Sequence, residues 1–255
     1  MNLHVATYNI HKGFSQFNRR IVLHELRERL RATNADIVFL QEVQGEHVLH
    51  ANRFAEWPQE PQYEFLADSV WTDHAYGRNA VYDHGHHGNA ILSRYPIVSV
   101  ENLDISSHPF ESRGLLHCEI HLPRQDVRVH CLCVHLALIE HGRRRQVNAL
   151  IERIRETVPD DAPVIVAGDF NDWRNRVGPR LYEELGLQEV FRVRYGRSAR
   201  SFPSRLPLFR LDRIYVRGFD IEHAEVHHGH VWSRISDHAM LTAQLALPAT
   251  RRGGQ

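Results

Sequence analysis

The chain has 255 residues, a formal net charge of zero at pH 7 and a pI of about 7.4, with 42% hydrophobic and 24% charged residues. This balance is ordinary for a globular protein, and a neutral chain has no global field that attracts nucleic acid or membrane. No stretch approaches the length of a membrane span and no signal peptide is visible, so we expect a cytoplasmic protein. Cys118, Cys131 and Cys133 lie in apolar runs, and we expect buried, reduced thiols.

Hydrophobic periodicity predicts helices that alternate with many short strands. The predicted helices are Arg19–Thr33 (capped by Asn18), a weaker one over Glu46–Trp57, Glu140–Val158 and Pro179–Leu185. The predicted strands are Leu3–Tyr8, Asp36–Leu40, Tyr63–Ala67, Gly88–Ser93, Ile97–Leu103, Arg113–His121, Asp126–Leu136, Val164–Ala167, Leu211–Val216, Ile221–Val226 and His238–Leu245, with an exposed loop over Asp83–His87. We expect one α/β domain built on two packed sheets over residues 1–247, and a disordered tail over 248–255.

The stretch Val164–Trp173 reads V-I-V-A-G-D-F-N-D-W and organises the chain. Its four leading apolar residues fit a short strand that is buried on both faces. The carboxyl end of such a strand opens at a layer edge, which is where α/β proteins bind ligands. Asp169 and Asn171 stand there, two residues apart. A plain Asx turn is the alternative interpretation.

Other strands also end or begin in polar residues that a core would not choose, namely Asn9, Glu42, His135, Asp212 and the Asp237-His238 pair. If the last strands run antiparallel to the first ones, all of these residues share one rim of the sandwich. Carboxylate and amide oxygens favour Mg²⁺ or Mn²⁺, and a His paired with an Asp is held in one orientation. This set indicates metal-assisted attack of water on a phosphoester. Taken singly, His135 fits a structural histidine, Asp237-His238 a turn cap and Asn9 a bridge between loops.

The ordered motifs resemble those of the endonuclease/exonuclease/phosphatase superfamily, which includes pancreatic deoxyribonuclease, exonuclease III, neutral sphingomyelinases and inositol-polyphosphate 5-phosphatases. The resemblance extends from residue 5 to about 245 and is nearest to a bacterial branch with N-I-H-K-G and L-D-R-I-Y signatures. The motifs are T7-Y8-N9, L40-Q41-E42, G88-N89-A90-I91-L92-S93-R94, V134-H135-L136, G168-D169-F170-N171, L211-D212-R213-I214 and S236-D237-H238.

The resemblance implies a four-layer α/β sandwich of two mixed β-sheets flanked by helices, with the active site on one rim. Glu42 is then the principal Mg²⁺ (or Mn²⁺) ligand, with Asn9 and Asp237 close by. Asp169 orients or deprotonates the attacking water, and Asn171 contacts the phosphate. His238, paired with Asp212, acts as acid/base or charge stabiliser, and His135 donates to a non-bridging oxygen. Arg113 and Asn89 are the further residues expected at the substrate.

We therefore expect a divalent-metal-dependent phosphodiesterase with no obligate protein partner. DNA or RNA is slightly favoured as substrate, because residues 192–217 hold eight Arg and only one acid, Asp212. A solvated face is the plain interpretation of that charge run. The second hypothesis is a hydrolase of membrane phospholipid or small phosphoesters, with Trp57, Trp71 or Trp232 exposed at the membrane. The third is a binding module that keeps the scaffold without catalysis.

Overall fold

The computed structural model describes residues 2–15, 20–47, 54, 57–108 and 111–248. The helices are α1 (Leu23–Thr33), α2 (Gln62–Ala67), α3 (Glu140–Thr157), α4 (Val177–Leu185) and α5 (Val190–Tyr195). The strands are β1 (Asn2–Asn9), β2 (Ile37–His47), β3 (Asp73–Tyr82), β4 (Gly85–Ser93), β5 (Ile97–Asp104), β6 (Gly114–Leu122), β7 (Val127–His135), β8 (Val164–Asp169), β9 (Gln188–Glu189), β10 (Asp212–Arg217), β11 (Asp220–His227) and β12 (Met240–Ala246). Single 3₁₀ turns cover His11–Gly13 and Trp232–Arg234.

Two mixed six-stranded sheets pack face to face, in the orders β11-β12-β1-β2-β4-β3 and β5-β6-β7-β8-β10-β9. Alternate residues of the central strands, such as Val5, Phe39, Cys131 and Ile165, fill the space between the sheets. The opposite face of the first sheet packs against α1 and α2, and that of the second sheet against α3 and α4. The result is the expected four-layer α/β sandwich.

The strand directions bring the polar strand termini to one rim. β1 is parallel to β2 and antiparallel to β12, while β7 is parallel to β8 and β8 is antiparallel to β10. The carboxyl ends of β1, β2, β7 and β8 therefore lie beside the amino ends of β10 and β12. We call this edge of the sandwich the rim. The condition on which the sequence argument depended, antiparallel closing strands, is met in both sheets.

Several element predictions are wrong, each for a local reason. Residues Tyr63–Ala67 form the helix α2 rather than a strand, because Pro61 starts a helical turn and the Phe65 amide donates to the Pro61 carbonyl at 3.0 Å. The exposed loop predicted over Asp83–His87 is only a two-residue turn, since β4 already begins at Gly85. Strand β3, which was not predicted, lies at the edge of the sheet and pairs only with β4. Because it is polar, its sequence shows no buried pattern from which a strand could be predicted.

Two helix predictions also need correction. The first helix begins at Leu23 instead of Arg19, and its predicted cap, Asn18, lies outside the described residues. The end of β2 takes up residues 46 and 47 of the weaker predicted helix, and most of its remaining residues are not described. Within the Arg-rich segment, α5 is unpredicted; the Glu189 carboxylate caps it by accepting from the amides of Phe191 and Arg192. The predicted boundary at residue 247 stays a prediction, because 249–255 are not described.

The predictions about thiols and exposed tryptophans have opposite outcomes. All three cysteines are free and buried, as expected. Trp57 and Trp71 are buried rather than exposed, and the Trp71 indole donates to the Ala35 carbonyl at 3.0 Å. Among the described residues, no helix combines the length and the apolar character needed to cross a membrane.

Candidate active site

The two sheets meet at the rim through the side chain of Asn9, the last residue of β1. Its amide nitrogen lies 3.3 Å from Asp169 Oδ2 at the end of β8 and 3.4 Å from Glu42 Oε1 on β2. Asn9 and Asp169 are almost fully buried. Burying carboxylates this closely costs free energy unless cationic or hydrogen-bonding groups compensate them. The rim is therefore built to hold a concentrated negative charge.

Glycine at position 168 is required by the approach of β8 to β7. Gly168 has φ +146°, and a Cβ there would lie 1.9 Å from the carbonyl oxygen of Val134. This close contact delivers Asp169 to the end of β8, beside His135. The following turn is closed by a hydrogen bond from the Asn171 amide to Asp169 Oδ1 at 3.0 Å, with Asn171 at φ +50°. The predicted Asx turn and the predicted functional turn are thus the same structure.

Asn171 is fixed to the neighbouring strand end. Its side-chain nitrogen donates to the Leu136 carbonyl at 2.9 Å. This bond uses one of the two amide hydrogens and orients the other toward the remaining space. Asn171 therefore keeps one donor for a ligand while its position is set by the backbone.

His238 forms the most strongly perturbed pair in the site. Its Nδ1 lies 2.8 Å from Asp212 Oδ2 and its Nε2 lies 3.8 Å from Asp169 Oδ2, with all three side chains buried. Burial lowers the pKa of His238, but the carboxylates of Asp212 and Asp169 outweigh it and raise this pKa to about 10. The same burial raises the pKa of Asp169 to about 6. At neutral pH His238 is an imidazolium, and Asp169 is an anion of unusually high basicity.

His135 is in the opposite protonation state, because it is buried and lies beside Arg113. The Nε2 of His135 lies 3.5 Å from Asp169 Oδ2, while Arg113 Nη1 lies 3.5 Å from Nδ1. Burial, followed by the positive charge of Arg113, lowers the pKa of His135 well below its usual value. Because the guanidinium can only donate, Nδ1 accepts and the proton of the neutral ring is on Nε2. The sequence places Arg113 at the phosphate; in the structure it lies behind His135.

A β-bulge positions Glu42. The pairing of β2 with β4 shifts register between Leu40 and Val43, and Glu42 adopts φ +55°. Bulges are common beside active sites because they turn a side chain out of the regular alternation. The preceding Gln41 stays in the core, where its amide donates to Thr7 Oγ1 at 3.3 Å. Of the Q-E motif, the structure thus brings only Glu42 to the rim.

Several side chains at the rim have oxygen atoms suited to bind a hard divalent cation. The predicted ligands Glu42, Asn9 and Asp237 lie on β2, on β1 and just before β12. Among the described residues, no Arg or Lys is within ion-pair distance of Glu42 or Asp237, so their charge is open to a cation. A tighter geometric cluster is Asp169, Asp212 and His238, in which Oδ1 of Asp212 is buried without a hydrogen-bond partner in the described structure. In this cluster, however, Nδ1 of His238 binds Asp212 and Nε2 carries the second proton of the imidazolium, which cannot ligate a cation, so we keep Glu42, Asn9 and Asp237 as the proposed ligands.

The hydrogen bonds of Asn89, another predicted site residue, have a structural role. It is buried, and its side-chain nitrogen donates to the carbonyls of Gly114 and Cys133 at 3.0 and 3.3 Å. These bonds tie β4 of one sheet to β6 and β7 of the other. A contact of Asn89 with substrate stays a prediction.

Sequence reasoning missed two histidines beside the site. The His11 amide donates to Asn9 Oδ1 at 3.1 Å, and His11 Nδ1 lies 3.4 Å from Asp237 Oδ1. His87 on β4 has a buried Nδ1 without a hydrogen-bond partner in the described structure, and burial lowers its pKa to about 4. The N-I-H-K-G segment, which begins at Asn9, is the sequence feature that could have indicated His11 as a site residue. His87 gave none, since it lies in a run that is typical of an exposed loop.

Comparison with known proteins places this chain in a superfamily whose members are hydrolases that act on phosphoester bonds. The model of the endonuclease/exonuclease/phosphatase family matches residues 6–238. The chain is 50% identical over 243 residues to the uncharacterized protein YbhP of Escherichia coli K12, covering 95% of this chain and 96% of that protein. The chain belongs to the endonuclease/exonuclease/phosphatase family.

Solved structures of lower identity share the fold. Zebrafish TDP2 in complex with a single-stranded DNA product has a TM-score of 0.69 at 19% identity, covering 96% of this chain and 98% of that one. A mannosyl-6-phosphatase of Bacteroides thetaiotaomicron has a TM-score of 0.70 at 16% identity, covering 96% of this chain and all of that one. The same fold thus occurs in a protein solved with a single-stranded DNA product and in a phosphatase named for a sugar phosphate.

Proposed function

We propose that the protein is a divalent-metal-dependent phosphodiesterase that hydrolyses its substrate by attack of activated water. The observation that carries the proposal is the division of protonation states within a few ångströms of Asp169. One imidazole is charged, the other is neutral, and the carboxylate between them has a raised pKa. Phosphoester hydrolysis needs such a base for water and such a donor for the phosphoryl oxygens.

Each residue has a defined part in this reaction. Asp169 accepts a proton from the attacking water, and the hydrogen bond from the Asn171 backbone amide to its Oδ1 holds that carboxylate in place. His238, held by Asp212, donates from Nε2 to the phosphoryl group as negative charge develops there. Asn171 and the Nε2–H of His135 supply neutral donors to non-bridging oxygens.

Mg²⁺ or Mn²⁺ is the proposed cofactor, which Glu42 and Asp237 would hold with Asn9 beside them; the Asn9 amide nitrogen faces Glu42, and its oxygen accepts from the His11 amide. When bound, such an ion supplies Lewis-acid polarisation of the phosphoryl oxygen. Arg113 acts chiefly by orienting His135, and its contact with phosphate remains part of the proposal.

Two different surfaces of the molecule favour two different classes of substrate. Nucleic acid is favoured by the Arg-rich segment, although two of its arginines serve the fold: Arg213 binds the Asp172 carbonyl and Arg217 binds the Pro159 carbonyl. Membrane lipid is favoured by the exposed apolar side chains that surround the rim. Both substrates present a phosphodiester to the same residues.

The first test is nicking of supercoiled plasmid with Mg²⁺, beside hydrolysis of the small diester bis(p-nitrophenyl) phosphate. We expect EDTA and the Asp169→Asn substitution to abolish turnover of whichever substrate is cleaved, while the exposed control Asp220→Asn retains it. Folded protein that hydrolyses neither plasmid nor small diester in Mg²⁺ or Mn²⁺ would contradict the proposed reaction. Cleavage of the small diester without nicking would retain the reaction and remove nucleic acid as substrate.

A further inference from the structure

Exposed apolar side chains concentrate at the rim. Most of the large hydrophobic residues that the described structure leaves exposed lie on loops at this edge: Val81, Tyr82, Leu138, Ile139, Trp173, Leu206, Leu208, Phe209 and Val231. The others lie on the edge strand β5 and on the helices α4 and α5. Single exposed apolar residues need no explanation, but a concentration around one site marks an interaction surface.

The strand directions explain how distant parts of the sequence reach this surface. The turn between β3 and β4 lies beyond the end of β2, where His47 pairs with Gly85. The loops after β7 and β8 carry Leu138, Ile139 and Trp173. Arg143 joins these two loops, because it donates to the Leu138 carbonyl at 2.9 Å and lies over the Trp173 ring at 5.3 Å. The apolar side chains are therefore held on a common scaffold.

The segment 202–209 carries three of the exposed apolar side chains of this surface. It is an irregular hairpin in which the Phe209 amide donates to the Phe202 carbonyl at 2.8 Å. Its base is fixed beside the catalytic histidine: the Ser204 amide donates to the Asp237 carbonyl at 2.7 Å, and the Phe202 ring lies 5.0 Å from the His238 ring. In this hairpin Leu206, Leu208 and Phe209 are 68%, 53% and 49% exposed. We call these three residues the apolar tip.

Positive charge surrounds the apolar tip. Residues 190–211 contain six arginines and no acidic residue. Arg205 precedes the tip and is exposed, while Arg210 follows it and is half-buried. Among the described residues, neither guanidinium has a carboxylate within ion-pair distance. An apolar protrusion flanked by unpaired arginines is complementary to an anionic surface with an apolar interior.

We infer that the rim docks on an anionic phospholipid bilayer, with the apolar tip inserted at the level of the head groups. The docked surface would present the site to a lipid phosphodiester, and this substrate assignment rests on the proposed function. Leucines at the tip favour this partner over nucleic acid. Surfaces that bind single strands stack bases on aromatic rings, and the tip has only one ring, Phe209.

Vesicle sedimentation tests the docking without any turnover, because it is carried out in EDTA. We expect the full chain to bind vesicles of equimolar phosphatidylglycerol and phosphatidylcholine, less at high salt, and to bind phosphatidylcholine alone weakly. Replacing the apolar tip by serine (Leu206→Ser, Leu208→Ser and Phe209→Ser together) should weaken binding at least about tenfold, because three apolar groups no longer leave water. The matched control Val98→Ser with Val100→Ser, on β5 and equally exposed, should bind as the parent protein does. All proteins should hydrolyse the small diester equally.

A fluorescence measurement locates the contact independently. The three native cysteines are buried, so the variants Leu208→Cys and Val98→Cys can each be labelled with an environment-sensitive dye. Emission should shift to shorter wavelength on anionic vesicles only for the dye at position 208. Absence of vesicle binding, equal binding by the serine tip variant, or a shift at both positions would overturn the inference. Tight binding of single-stranded DNA that is lost in the tip variant, with no vesicle binding, would also overturn it in favour of nucleic acid. Vesicle binding by a protein that hydrolyses nothing would retain the docking surface and refute the proposed reaction.

Discussion

The substitution Asp212→Asn tests the acid–base assignment most directly. Asp212 is fully buried, and its carboxylate accepts from His238 Nδ1 at 2.8 Å. Asparagine has nearly the same shape and can still accept that hydrogen bond through its amide oxygen. The substitution therefore removes the negative charge and leaves the ring in place. The substitution thus changes the protonation of His238 without changing the position of its ring.

The size of the effect follows from the pKa of His238. Its rise from 6.5 to about 10 corresponds to about 5 kcal/mol of stabilisation of the imidazolium, net of the cost of burial. Without the Asp212 charge, burial is opposed only by the carboxylates of Asp169 and Asp237, so we expect the pKa of His238 to fall toward its usual value. At pH 7.5 a ring with that usual pKa is about 10% protonated, which alone lowers kcat about tenfold. Loss of the charge that stabilises the imidazolium during the reaction brings the expected decrease to about 100-fold or more.

The assay is kcat against pH on bis(p-nitrophenyl) phosphate with saturating Mn²⁺. The parent protein should gain activity as Asp169 deprotonates near pH 6, then stay level to pH 9 because His238 remains charged. In Asp212→Asn the alkaline decrease should move below pH 7, giving a low and narrow bell, while the exposed control Asp220→Asn keeps the parent profile. An alkaline limb that does not move in the Asp212 variant would refute the role of His238 as the proton donor.

Two further predictions concern the metal and the core. Glu42→Gln should raise the Mg²⁺ concentration for half-maximal activity at least about tenfold, since it removes a proposed anionic ligand; equal metal dependence would refute that role. His117 is buried against His130 at 3.0 Å, and burial lowers its pKa to about 4. Between pH 6.5 and 4 this histidine is protonated in the unfolded chain but not in the folded protein. The free energy of unfolding should therefore decrease by up to ~3 kcal/mol as the pH is lowered through this range. Urea titrations of His117→Leu should show a smaller decrease, whereas the exposed control His84→Gln should not; identical slopes would contradict the assignment.

Much of the rim could be predicted from sequence because its residues stand at strand ends. Asn9, Asp169 and Asp212 interrupt apolar runs at the point where a strand leaves or enters the core. A polar residue at such a point has few structural explanations. Their convergence then needs only the strand directions, which the helical crossovers from β1 to β2 and from β7 to β8 and the antiparallel closing strands determine.

The rest depends on contacts between residues far apart in the chain. The partner of His135 is Arg113, 22 residues away and directly before the neighbouring strand β6, and their approach requires the β6–β7 register. The bulge at Glu42 is invisible in sequence, because nothing in L-Q-E-V requires a left-handed residue there. Helix α5 is hidden in the same way: it depends on Glu189 as a cap, within a segment whose arginines are typical of a loop.

The charge balance of the site links its geometry to the need for a cation. Glu42, Asp169, Asp212 and Asp237 bring four carboxylates to the rim; His238 is the imidazolium beside them, whereas His135 is held neutral. A phosphodiester is itself an anion, so the side chains alone would repel the substrate that their hydrogen-bond donors fit. A divalent cation bound at Glu42 would reverse this balance on one side of the site, and Arg113 and Lys12 add positive charge near His135. On this charge balance, the metal ion that we propose would contribute to substrate binding as well as to the chemical step.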